Sequence, residues 1–103
     1  MTVVLGPCSH DFCTLYVAGP LLLPTNRDLR RQVRTLLTRG KRAIVVDLRR
    51  VSRIDAAGVG ELVRAYNMVV AADGLLRIVN VTRRVREILT RVELLDLLSA
   101  END

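Results

Sequence analysis

Three apolar runs of strand length alternate with apolar stripes of helical period, and this alternation restricts the fold more than any other feature. Residues 2–5 are β-branched and apolar, and Gly6-Pro7 breaks or bends them. Ser9-His10-Asp11 reads as a turn. Residues 12–18 then alternate, with Phe12, Thr14, Tyr16 and Ala18 on one face and Cys13, Leu15 and Val17 on the other. These two runs form a hairpin that Gly19-Pro20 ends. Pro24-Thr25 opens a helix with Thr25 as N-cap and Asp28 near its positive end. Leu29, Val33, Leu36 and Leu37 make its apolar stripe, and Gly40 suits the residue after its end. Residues 43–48 are apolar except for Asp47 and read as a buried central strand. Asp55 N-caps a second helix whose apolar face is Val59, Leu62, Val63, Tyr66, Val69 and Val70. Asp73-Gly74 ends it, and residues 75–81 form another strand. Thr82 caps a third helix carrying Val85, Ile88, Leu89 and Val92. A last short helix over 93–98 carries Leu94, Leu95, Leu97 and Leu98. The order is β-β-α-β-α-β-α-α. A hairpin followed by alternation requires an α/β fold, a mixed sheet with helices packed against it.

The chain of 103 residues has room for one domain, expected to span 1–103. With 50% hydrophobic and 3% aromatic residues, its core is built from Val, Leu, Ile and Ala. No run approaches the ~18 apolar residues that cross a bilayer, so no membrane insertion is expected. The N-terminus lacks the basic and apolar regions of a signal peptide, which points to a cytoplasmic protein. The net charge is +5, and residues 27–53 hold ten of the 16 basic residues against two acids, Asp28 and Asp47. Such a stretch attracts acidic partners, nucleic acid or anionic lipid, but a solvated helix face is the simpler account of it. Specific nucleic-acid binding is not expected, because aromatic residues for base stacking are not interleaved with the arginines.

Catalytic chemistry finds little support. The one histidine, His10, sits in a turn beside Ser9, with no third residue to complete a triad. Cys8 and Cys13, with four residues between them, match no zinc pattern together with His10 and Asp11. They read as a reduced pair flanking the hairpin turn, able to bridge on oxidation. Asp47 and Asp55 are explained by strand-end hydrogen bonding and N-capping rather than as a catalytic pair. Gly58-Val59-Gly60 resembles the start of a dinucleotide fingerprint, but Val63 stands where the third glycine belongs and Glu61 opposes phosphate. No catalytic residue, metal ligand or cofactor is assigned.

What remains is a docking surface. A helix start of small residues lets another backbone approach, with its free N–H groups available to donate. The segment reads Val46-Asp47-Leu48, a short connection, then Ile54-Asp55-Ala56-Ala57-Gly58-Val59-Gly60. It resembles the STAS domain, the fold of bacterial anti-sigma-factor antagonists, whose hallmark is a strand ending in Asp-Leu, then Asp-Ser-Ser-Gly-Leu-Gly leading into a helix. Gly19, Gly74, Val81-Thr82 with Val85 and Leu89, and the closing Leu94 to Leu98 extend the resemblance over nearly the whole chain.

The resemblance implies a partner-switching role: the domain binds an anti-sigma factor that is also a serine kinase, and phosphorylation after the Asp ends the interaction. A phosphate would place about −1.5 to −2 charges in a tight interface. Here the phosphoacceptor position matches Ala56, followed by Ala57, and neither has a hydroxyl. Leu22 stands near the place where many antagonists carry an acidic residue. The expected contact surface is Leu22, Thr25 and Asn26 with Asp55, Ala56, Ala57, Gly58, Val59 and Gly60. Thr82 and Thr90 are the alternative hydroxyls for regulation. The alternative role is an accessory subunit of an ABC-type lipid transporter, with the ATPase subunit as partner, or a stressosome-like scaffold. The open edge of the hairpin offers strand addition to a second copy as a homodimer.

Overall fold

A computed structural model describes residues 1–9, 12–22 and 27–91. Four strands and three helices follow in the order β1 (Thr2–Cys8), β2 (Phe12–Ala18), α1 (Asp28–Thr38), β3 (Ala43–Arg50), α2 (Ala56–Ala71), β4 (Leu75–Val79) and α3 (Arg83–Arg91). The sheet order is β1-β2-β3-β4. β1 and β2 are antiparallel, while β2, β3 and β4 are parallel. This is the mixed α/β sheet expected from the alternation. The helix expected over 93–98, with Val92, lies outside the described residues.

Alternation along each strand divides the sheet into two faces. Cys13, Leu15 and Val17 of β2, Ile44, Val46 and Leu48 of β3, and Leu76 and Ile78 of β4 are buried. They meet Leu29, Val33 and Leu36 of α1, Leu62, Ala65 and Val69 of α2, and Val85 and Leu89 of α3 in one core. Nothing among the described residues covers the opposite face: Val4, Phe12, Tyr16 and Leu75 are each 40% exposed or more. Pairing of Val4 with Tyr16 and of Phe12 with Ala43 and Ala43 with Leu75 places these side chains side by side.

Several boundaries depart from the sequence reading. β1 runs on through Gly6-Pro7 to Cys8, with a register shift between Leu5 and Cys8. Pro7 has no N–H to donate, and the break in pairing on this edge strand means that none is required there. Cys8 and Cys13, expected as a reduced pair, are joined in a disulfide. They are cross-strand partners with Cα atoms 4.0 Å apart, so the hairpin itself brings the sulfurs together. α1 begins at Asp28 with Arg27 at the N-cap and no side-chain cap bond; Thr25, expected there, lies outside the described residues. Gly40 does close α1, with φ +87° and a bond from Lys41 N–H to the Leu36 carbonyl. β4 stops at Val79 because Asn80 turns left-handed, with φ 55°.

The buried face of α2 is rotated from the expected one. Gly58, Glu61, Leu62, Ala65 and Val69 point inward, and Val70 is 47% exposed. Glu61 is fully buried and accepts a 2.9 Å bond from Arg30 Nε on α1. Its other oxygen, Oε1, has no hydrogen-bond partner. The pair fixes α1 against α2 at one height.

Candidate partner-binding site

Because β2, β3 and β4 are parallel, all three end on one side of the domain, and α1, α2 and α3 all begin there. In open parallel sheets this carboxyl end of the strands is where ligands bind. Here the connections form a tight unit. Gly19 N–H donates to the Arg50 carbonyl at 3.0 Å and Leu21 N–H to that of Arg53 at 2.9 Å. Leu21 pairs with Ile54 as a short parallel bridge, and Asp55 N–H donates back to the Leu21 carbonyl at 3.3 Å. The chain after β2 is thus laid along the chain after β3.

The first turn of α2 rests on this unit. The Asp55 carboxylate accepts the Gly58 N–H at 3.0 Å, the N-cap its sequence position implies. Gly58 is buried, and a Cβ there would run into the Leu21 carbonyl oxygen and lie 2.7 Å from Ile54 Cγ1. Only glycine lets the helix approach that closely. Gly58 therefore serves a contact within the chain. Val59 also packs inward, against the core. Ala56 is exposed, and Ala57 and Gly60 are half-buried. A Cβ on Gly60 would meet only the Arg64 guanidinium, at 3.3 Å. Ala56, Gly60 and Arg64 recur every four residues and share one helix face. Leu22 is half-buried nearby, while Thr25 and Asn26 lie outside the described residues.

The other side chains at this end are structural fixtures. Asp47, 8% exposed, accepts from Arg49 N–H and from Asn80 Nδ2, both at 2.8 Å. It ties the end of β3 to the end of β4, the strand-end role read from the sequence. The Thr82 hydroxyl donates to the Val51 carbonyl at 3.2 Å and accepts from Val85 N–H at 3.4 Å. Thr90 is exposed on α3.

Sequence reasoning missed Glu61 and its partner Arg30. The available signal was the spacing 58, 61–62, 65, 69, which marks an inward stripe. It was obscured because two of its members are Gly58 and Ala65 and a third is charged. Among the described residues no three His, Cys, Asp or Glu side chains gather as metal ligands. Among them also, no helix is long and apolar enough to cross a membrane.

Comparison with known proteins agrees with this architecture. The STAS domain family model matches residues 6–103. The fold is similar to the anti-sigma factor antagonist SpoIIAA in its unphosphorylated form: TM-score 0.68, 19% identity, covering 86% of this chain and 82% of that one. The Bacillus cell fate determinant SpoIIAA in the phosphorylated form gives a TM-score of 0.72 at 18% identity, over 95% and 88% of the two chains. A sulfate transporter family protein from Wolinella succinogenes gives 0.73 at 18% identity, over 93% and 78%. A search among curated protein sequences finds no significant match. With its family pattern matched over nearly its full length and its sheet and helices in the corresponding order, the chain belongs to the STAS domain family.

Proposed function

We propose that this STAS domain is a non-catalytic regulatory module that binds another protein through the start of α2 and the chain after β2. The partner is an anti-sigma factor with kinase character. The observation that carries this reading is the small-residue strip of Ala56 and Gly60 on a helix start held rigidly by Asp55, Gly58 and Leu21. Apart from Arg64, whose guanidinium lies beside Gly60, the strip has no long side chain to order, so covering it costs little entropy. Ala56 stands where the family places its phosphoacceptor, and with Ala57 beside it the domain cannot be switched off there. It acts as a constitutive binder in the cytoplasm.

A second reading is an accessory subunit of a transporter, in keeping with the similarity in fold to a sulfate transporter family protein. Affinity capture from the source organism with the wild type and with Ala56→Glu separates the two. An anti-sigma kinase recovered by the wild type and lost with Ala56→Glu supports the first reading. Recovery of transporter subunits alone favours the second. A partner set unchanged by Ala56→Glu refutes the assigned surface. With the kinase and ATP, Ala56→Ser should gain one phosphate by mass while the wild type gains none.

A further inference from the structure

The same end of the domain carries a concentration of positive charge. Arg27 precedes α1, Arg49 and Arg50 end β3, Arg53 lies in the connection to α2, and Arg83 and Arg84 open α3. All six are exposed. Their backbones are brought together by the bonds already described: Arg50 to Gly19, Arg53 to Leu21, and Val51 to Thr82, which precedes Arg83.

Two of these placements work against stability. The N-terminal ends of helices carry partial positive charge, and α3 puts two arginines in its first turn with no acid there. The first turn of α2 also lacks an acid. The start of α3 therefore adds its dipole to the guanidinium groups, whereas Asp28 offsets that of α1 and the Asp55 N-cap that of α2. The acids at this end are already engaged: Asp47 with Arg49 N–H and Asn80, Asp55 with Gly58 N–H, Asp28 with Arg31, and Glu87 with Arg83. Arg83 has its i,i+4 pair with Glu87 in return, but among the described residues Arg84 has no acidic partner, and a local rule broken without structural return is a mark of function.

We infer that this end meets an acidic protein surface, with the arginines surrounding the Ala56–Gly60 strip. The inference rests on the contact surface proposed above and adds the chemistry of the partner. A protein fits better than a nucleic acid. The strip of Ala56 and Gly60 is apolar and small, and two of the three aromatic side chains lie away from the arginines. Phe12 is at the opposite end of β2 and Tyr66 packs toward the core, whereas Tyr16 lines a cavity on the exposed sheet face together with Arg49 and Arg50. Among the described residues one ring, Tyr16, stands beside the arginines, short of the row of aromatic side chains on which successive bases stack.

The test is an NMR titration of the full chain with poly-L-glutamate, a duplex DNA of about 20 base pairs and phosphatidylserine vesicles, each at physiological salt. Poly-L-glutamate should shift the amides of residues 49–60 and 83–84. The Arg53→Glu, Arg84→Glu double variant should bind it at least about tenfold more weakly. Shifts centred instead on the outer face of α1, around Arg31 and Arg34, would overturn the inference. So would tighter binding of the duplex or the vesicles at this end.

The partner captured above provides a second arm, with Ala56→Gln as a size-matched neutral control for Ala56→Glu. Greater loss with Glu than with Gln, together with loss in the double arginine variant, supports an acidic partner. Equal loss with Gln and Glu, with the double arginine variant binding as the wild type, overturns the inference and leaves the proposed surface standing. A partner retained by both Ala56 variants but lost with the arginine variant keeps the acidic partner and refutes the α2 strip.

Discussion

Removing Arg30 should damage the protein more than removing Glu61, although the two side chains form one ion pair. Arg30 Nε and Glu61 Oε2 are 2.9 Å apart. At an effective dielectric near 20 their gross attraction is about 6 kcal/mol. Taking a carboxylate out of water costs several kcal/mol, so the net benefit of the pair over an apolar pair is small. The partners differ in their alternatives. The Arg30 side chain is 29% exposed and can turn into water, whereas that of Glu61 is 0% exposed and already has one oxygen unpartnered. Arg30→Met leaves a buried carboxylate with no donor among the described residues and should cost about 3 kcal/mol, the lower end for such losses because Arg30 is partly solvated. Glu61→Met removes the buried charge and should cost less than about 1 kcal/mol. The double variant should lie within about 1 kcal/mol of the wild type. Urea unfolding at pH 7 measures all four corners of the cycle. An Arg30→Met cost no larger than that of Glu61→Met, or a double variant as unstable as the sum of the singles, would refute this account.

Other substitutions probe the site directly. Gly58→Ala places a methyl group against the Leu21 carbonyl, a backbone atom that cannot swing aside. Overpacking outweighs the gain in helix propensity, and a net loss of about 1–2 kcal/mol should lower the melting temperature. Gly60→Ala meets only the mobile end of Arg64 and should raise the melting temperature, by about 0.5–1 kcal/mol of stability. Cys8→Ser opens a short hairpin loop and should cost about 2 kcal/mol under oxidising conditions. The same variant should match the wild type once a reductant is added. Asp55→Ala removes the N-cap of α2 at a cost of about 1 kcal/mol, read as an earlier midpoint in urea.

The presence of four strands and several of the helix ends are legible because they depend on local chemistry. Alternation at Phe12–Ala18, the Gly40 turn, and the caps at Asp55 and Thr82 are each determined within a few residues. The path through Gly6-Pro7 is not, because a strand tolerates proline at a sheet edge or a bulge, and edge position is a property of the whole sheet. The inward face of α2 was misread for a related reason. Val63 and Val70 look more buried than Gly58 and Glu61 until α1 supplies Arg30 and the chain after β2 supplies the Leu21 carbonyl. At the candidate site the helix start and its cap were visible in the sequence. Gly58 facing its own chain, and the gathering of six arginines from four segments, emerge only when parallel strands bring their ends together.

The exposed sheet face sets how concentrated solutions of this protein behave. Val4, Phe12, Tyr16 and Leu75 present a flat, greasy surface, and the chain's charge of +5 is what keeps copies apart. That repulsion reaches about 10 Å at 0.1 M salt and only about 3 Å at 1 M. Raising ionic strength should therefore encourage clumping rather than dispersal, and a light-scattering series across salt concentrations would register it as a growing particle radius.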